Sequence, residues 1–250
     1  MHLGDIKWPA VHALNKDTPI VIPVAALEQH GHHLPLFTDS LLLGEIVRRA
    51  AEPLKDSVVF APLLWLGNSD HHLDFAGTLS ARPRVYLDLL GGLIDDFVRH
   101  GFRRIVFING HGGNSVPGRQ AVFEARQRYR ERADLLLLFA TYWDAGPLPP
   151  VLLKTLHQQH MRHACEWETS MMLRLNPGLV GAYKDAKPVE PTDTFAPSSR
   201  AWTTRDLTSC GHIGCPNLAT SEKGEALFSA FADNLVALLR KIVQWDGKTF

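Results

Sequence analysis

Apolar residues along this chain fall into two patterns: short continuous runs rich in β-branched residues, and longer stretches in which they recur every three or four positions. The short runs read as buried strands and the spaced stretches as helices packed by one face. Ile20, Val21, Ile22 and Val24 predict a first strand, in which Pro23 forfeits one ladder donor. A helix is expected over 40–51, with Leu42, Ile46 and Val47 on one face, then a second buried strand over 58–63. Val85, Leu89, Leu93, Ile94 and Phe97 predict a helix over 84–101, stopped at His100-Gly101. A third strand over 104–108, a helix over 116–133 and a fourth strand over 134–140 follow.

This β-α-β-α-β-α-β order predicts an α/β fold with a mainly parallel central sheet and helices on both faces. Residues 144–156 are proline-rich and read as an irregular loop over a site or at a subunit contact. Helical composition returns over 155–175, and a final amphipathic helix over 221–243 is expected to pack on the sheet. Between them, 184–217 is polar and punctuated by proline and glycine, the kind of long segment that serves a site or an interface. No internal repeat or low-complexity stretch interrupts the order, so one domain over 1–250 is expected.

The polar residues gather just past the strands. Glu28, His30, His32, His33 and Asp39 follow the first strand, His71 and His72 the second, and His111, within Asn109–Asn114, the third. Open α/β sheets keep their ligands at these carboxyl ends. In extended backbone Glu28 and His30 point to the same side, and Asp39 enters at the start of a helix. Loop polarity and a helix-capping Asp39 would account for these three alone. With His111 at a second strand end and Glu166 on a third element, a metal site is the better account. Carboxylates mixed with imidazoles suit Zn²⁺, Mn²⁺ or Fe²⁺, and a carboxylate such as Asp39 can bridge two ions.

Other polar positions have plainer readings. His71 is read as a solvated loop residue and His72 as facing a substrate, while His157 and His160 are read as an exposed helix face. On the helix expected over 155–175, His163 and Glu166 stand one turn apart and Glu168 projects elsewhere. Asn109–Asn114 lacks the lysine and spacing of a phosphate-binding P-loop. Cys210 and Cys215 flank His212, but three such ligands among glycines are a weak zinc signal, and buried or free thiols are the simpler reading.

Composition narrows the classes. Twenty-six basic residues balance 26 acidic ones in 250 residues, so no global field favours nucleic acid or an anionic membrane. The 13 histidines lie mostly in internal clusters, as transition-metal sites require, and three cysteines are too few for a disulfide framework. No secretory h-region and no stretch of membrane-spanning length is present, so a cytoplasmic protein is expected.

Taken together, EQHGHHLPLFTD, DHHLDFAGTLS, NGHGGN, HACEWETSMML and GCPNLATSEKG, in that order from residue 28 onward, resemble the signatures of the creatininase (creatinine amidohydrolase) family. The resemblance implies a three-layer α/β/α domain, two divalent metal ions per chain and often a homohexamer acting on a small molecule. Carried over by position, it implies one ion held by Glu28, Asp39 and His111 and another by His30, Asp39 and Glu166. It also implies His163 as the catalytic histidine and Glu168 as acid/base or orienting group. His72, Phe75, Trp143 and Trp167 are the substrate-binding candidates. The turn carrying His111 departs from creatininases proper, which read NGHYEN and use that glutamate as a ligand; here both places are glycine, Gly112 and Gly113. The NGHGGN pattern resembles a branch of formylamide hydrolases, mycofactocin precursor peptidases and an inosose-derivative hydrolase, and argues against creatinine itself. The expected reaction is hydrolysis of an amide, formamide or cyclic amide C–N bond, with ring opening at another bond, precursor-peptide cleavage or noncatalytic metal binding as alternatives.

Overall fold

The computed structural model describes residues 1–195 and 197–249. A short helix α1 (Trp8–Ala13) precedes strand β1 (Ile20–Val24), helix α2 (Thr38–Ala51), strand β2 (Val59–Phe60) and helix α3 (Pro83–Arg99). Strand β3 (Arg104–Asn109), helix α4 (Ser115–Arg128) and strand β4 (Leu136–Thr141) complete the sheet. Helices α5 (Pro150–Leu153), α6 (Glu166–Leu175), α7 (Thr204–Leu207) and α8 (Ser221–Gln244) follow.

All ladders are parallel and the strand order is β2-β1-β3-β4, with Ile20 opposite both Val59 and Ile105 and Val24 opposite Asn109. The chain therefore leaves β1 in one direction and, after crossing back over it, enters β3 on the other side. Right-handed crossovers then put α2 on one face and α3 and α4 on the other. Side chains alternate accordingly. Val21, Val106 and Ile108 join the core with α2, α6 and α8, while Ile20, Ile22, Val24, Ile105 and Phe107 join the core with α3 and α4. Burial on both faces is why these strands read as continuous apolar runs.

The expected second strand shrinks to two residues, and Pro23 explains it. Odd-numbered backbone groups of β1 face β2, as the bond from the Ala61 amide to the Val21 carbonyl shows. Pro23 has no amide to continue that ladder, whereas even-numbered Phe60 turns its amide to Met1, so Pro62 is not part of it. The strand leaves the sheet there and returns only through bonds between Leu64 and the Pro23 carbonyl and Ala25 amide.

The helix expected over 155–175 begins only at Glu166, because Ala164 takes a left-handed φ of 48° that ends helical geometry just before it. The expected terminal helix is present, packed against α6 and α2 in one layer; the Thr220 hydroxyl caps its Lys223 amide at 3.3 Å. Its Leu227, Phe231, Leu235 and Leu239 repeat every four residues and are fully buried, each contributing about 1.5–3 kcal/mol. The 184–217 segment is largely irregular as expected, pinned by paired backbone bonds between Val189 and Gly214 and by the Ile213 amide on the His163 carbonyl at 2.7 Å. Among the described residues, no helix is long and apolar enough to cross a membrane.

Candidate metal centre

Because the strand order reverses direction between β1 and β3, the crevice past their carboxyl ends is where helices diverge and a ligand can enter. Glu28 and His30 follow β1, His111 follows β3, and α2 delivers Asp39 from its first turn. Gly31, at φ 64°, turns the chain directly after His30. All four ligand candidates are buried.

Asp39 stands between the two histidines. Its Oδ1 is 3.0 Å from His30 Nε2 and its Oδ2 is 3.1 Å from His111 Nδ1. Glu28 Oε1 is 3.2 Å from His111 Nδ1 and 3.3 Å from His72 Nε2. The other ring nitrogens are pinned by backbone carbonyls, His30 Nδ1 by Glu28 at 3.0 Å and His111 Nε2 by Asn68 at 2.8 Å. A carbonyl only accepts, so each of these nitrogens carries the proton. The nitrogens facing the carboxylates are then bare lone pairs, an arrangement that repels unless a cation, a proton or a metal ion, lies between. Buried Glu28 Oε2 and Asp39 Oδ2 have no hydrogen-bond partner. Histidines oriented by backbone acceptors and carboxylates with spare oxygens are what a divalent metal uses.

The electrostatics agree. Burial alone would depress His30, but Asp39 and Glu168 hold it up at about 10. His111 is held well above the ordinary range against burial by Glu28 and Asp39. Burial would raise Glu28, yet His111 and His72 bring it well below the usual carboxylate range. This pocket favours positive charge.

The two glutamates of α6 reach different partners, and Glu166 is not where it was expected. Glu166, expected as a ligand of the second ion, does not join the cluster. Its fully buried carboxylate accepts the backbone amides of His157 and Gln158, each at 2.9 Å, and pairs with Lys223. Glu168, two residues on, puts Oε1 3.8 Å from His30 Nε2 while its Oε2 accepts the Cys165 amide at 3.4 Å, fixing it at the N-terminus of α6. Burial, helped by the Asp39 carboxylate, pushes Glu168 up to about 7 against the pull of His30. Gly113 cannot be replaced by the glutamate of the NGHYEN pattern in this backbone. A Cβ there would meet the Asn68 carbonyl at 2.2 Å and His111 Nε2 at 2.5 Å.

His163 stands outside α6, placed by the left-handed Ala164, with Nδ1 3.6 Å from Glu28 Oε1. Its Nε2 donates to the Gln29 carbonyl at 2.8 Å, leaving Nδ1 bare toward the centre. Burial, then His30 and His72, push it well below the ordinary imidazole range. Gln29 holds the neighbouring ring. Its Oε1 accepts the Gly31 amide, so its Nε2 donates to the Gly211 carbonyl and to His72 Nδ1.

The centre opens into a cavity of about 910 Å³, lined among others by Trp143, Met161, Arg162, Arg200 and Trp202. His72 and Trp143 line it as expected. Phe75 does not; its ring carries the Arg205 guanidinium 4.3 Å away. Trp167 is a core residue, 3% exposed, donating to the Gln158 carbonyl and packed near Phe231. His71, read as solvated, instead lines the cavity, its ring parallel to His111 and edge-on to Trp202. His32 is exposed and His33 bonds Thr169, so of the 30–33 imidazoles only His30 reaches the centre. Trp202, Arg200 and Arg162 were missed because nothing in the pattern of 184–217 or 155–165 says which residues turn inward.

The creatinine amidohydrolase family model matches residues 4–239. The chain belongs to the creatininase family. It is 32% identical to the mycofactocin precursor peptide peptidase of Mycobacterium tuberculosis (strain CDC 1551 / Oshkosh), covering 97% of this chain and 92% of that protein. It is 28% identical to the creatinine amidohydrolase of Pseudomonas putida over 96% of each chain. Among solved structures, a zinc–zinc form of a creatininase mutant superposes with a TM-score of 0.83 at 26% identity, covering 96% of this chain and 97% of that one. A manganese creatininase gives 0.80 at 28%, covering 96% and 97%. The creatininase-family enzymes are hydrolases of the amidohydrolase type, and this chain carries the family fold and a cluster of side chains that could hold a metal ion.

Proposed function

We propose that this creatininase-family amidohydrolase binds two divalent ions, zinc or manganese before iron, and hydrolyses the C–N amide bond of a small molecule or short peptide. The observation that carries the reading is Asp39, one carboxylate oxygen toward each of two histidines whose facing nitrogens are bare. Glu28, Asp39 and His111 would hold one ion; His30, Asp39 and Glu168 would hold the other. When bound, the metal pair supplies Lewis-acid polarisation of the carbonyl and a lowered water pKa.

The remaining steps belong to the chain. His163 takes up a proton at its bare Nδ1 and returns it to the leaving nitrogen, its ring held by the Gln29 carbonyl. With the Gln29 amide donating to Nδ1, His72 carries its proton on Nε2, directed at Glu28. Arg162, Arg200, Trp143 and Trp202 give the cavity cationic and aromatic walls. Its volume of about 910 Å³ is at the upper end for ligand pockets and favours a short peptide or extended amide over a compact ring. Exposed Val85, Val116 and Phe123 on α3 and α4 support a homo-oligomer.

Elemental analysis of protein purified without added metal, with assays on formamides, cyclic amides and short peptides, tests the reading. About two equivalents per chain and activity lost on chelation are expected. Protein that neither carries nor takes up metal overturns it.

A further inference from the structure

A second group of metal-binding side chains lies in the wall behind the cavity and shares no ligand with the centre. His157, Glu190 and Cys215 come from three separate stretches of chain, and their ligand atoms lie within 4.8 Å of one another. Cys215 Sγ is 3.3 Å from Glu190 Oε1, and His157 Nε2 is 3.8 Å from the same oxygen. Tetrahedral zinc, with Zn–S about 2.3 Å and Zn–N or Zn–O about 2.0–2.1 Å, sets neighbouring ligand atoms about 3.3–3.6 Å apart. The Cys215–Glu190 pair is at that spacing already, and His157 and Glu190 are exposed side chains free to bring the imidazole, now within 4.8 Å of the other two ligand atoms, up to the ion.

The backbones that carry the three ligands are tied to one another. Glu190 and Cys215 directly follow the Val189 and Gly214 pair, which exchange backbone bonds of 3.0 and 2.7 Å. Gln158 Oε1 accepts the Cys215 amide at 3.0 Å and the Glu166 amide at 2.9 Å, and the His157 amide bonds Glu166. A cavity of about 380 Å³, lined also by His160, opens beside the triad and leaves a fourth position to water. The Cys215 thiol donates to the Glu190 carboxylate, and a metal ion would take that proton's place between sulfur and oxygen. Borderline-soft ligands of sulfur, imidazole nitrogen and carboxylate oxygen select Zn²⁺ among common divalent ions.

We propose that His157, Glu190 and Cys215 form a further divalent-metal site, suited to Zn²⁺. It clamps the 189–190 and 214–215 segments to the 157–158 turn. Arg162, Pro191, Thr192 and Ile213 line both this cavity and the larger one, so the clamp fixes the shape of the substrate wall.

Full-length protein, cleared of metal by chelation and titrated with Co²⁺ under reducing conditions, reads this site alone. A thiolate ligand gives cobalt a near-ultraviolet charge-transfer band that the carboxylates and imidazoles of the main centre cannot give. A band with the amplitude of one cobalt–thiolate site per chain is expected, complete by about three equivalents in all because the main centre takes up two; it is lost in Cys215→Ser and needs at least about tenfold more Co²⁺ in His157→Ala and Glu190→Gln. The latter two replace exposed side chains, so they keep the test open should Cys215→Ser fail to fold. No band in the wild-type protein, or a band that any one of the three variants leaves unchanged, overturns the proposal. Amide hydrolysis by the same samples reports the main centre separately.

Discussion

On the floor of the cavity, Glu28, His30 and His111 stand within a few residues of neighbouring parallel strands, and every one is buried and held by a backbone bond or an ionic neighbour. The wall, drawn from the segments on either side of α6, is made differently, largely from turns, short helices and isolated backbone bridges, with exposed Arg162, Arg200 and Trp202 facing the same cavity. Glu166 and Glu168 sit where the two meet. One is neutralised by Lys223 and two amides and ties the wall together; the other reaches over the floor to His30. The difference separates chemistry from selectivity. A floor fixed by ladders can keep ligands in register, whereas a wall of loops can change its lining without moving them.

The sharpest break in that comparison is Asp39→Ala. It should abolish binding of both ions and lower activity by about 10³-fold or more; elemental analysis beside turnover checks it, and a metallated, active variant would sink the bridging role. Next comes the paired test of the two glutamates. Glu168→Gln should cost about 10²–10⁴ in kcat with the fold intact. Glu166→Gln should leave kcat within a few-fold but strand Lys223 beside a neutral amide, costing about 2–3 kcal/mol in denaturant melts. If the effects are reversed, the assignment of the two carboxylates fails. A smaller effect is expected from Trp202→Ala in the wall, where KM should rise about tenfold, equivalent to about 1.4 kcal/mol, with metal content and kcat kept. A kcat loss without a KM change would instead put Trp202 on the floor's side of the division.

The smallest effect lies away from the cavity. Hydrogen bonds from Arg48 and Arg49, with their charges, outweigh partial burial and hold Glu45 down at about 2, and Arg49 also pairs with Glu225 across to α8. A carboxyl lowered in the folded state stabilises above its unfolded value near 4.5 and loses that contribution as pH falls toward 2. Glu45→Gln should therefore cost about 0.5–1 kcal/mol at pH 7 and converge on the wild type in melts near pH 2. Equal gaps at both pH values would remove the charge from the explanation.

The succession of strands and helices and most of the floor were legible in the sequence, because β-branched runs, helical spacing and polar clusters after strands are local patterns. Glu28, His30, Asp39 and His111 needed only to be recognised as lying at strand ends or at the helix that follows. The second strand's early end was half-legible in Pro23, but only the pairing shows that its missing amide faces β2. Glu166 and Glu168 could not be told apart. A helical reading that runs through Ala164 puts His163 and Glu166 on one face, and the left-handed turn there reverses the choice. Trp167 and Phe75 were lost in the same way, since an aromatic residue beside a motif packs inward or lines a cavity according to neighbours far along the chain. The sequence by itself determined which chemistry the chain carries and on which side of the sheet it lies. Tertiary structure alone decided which carboxylate faces the histidines, because that depends on one backbone angle and on a lysine 57 residues away.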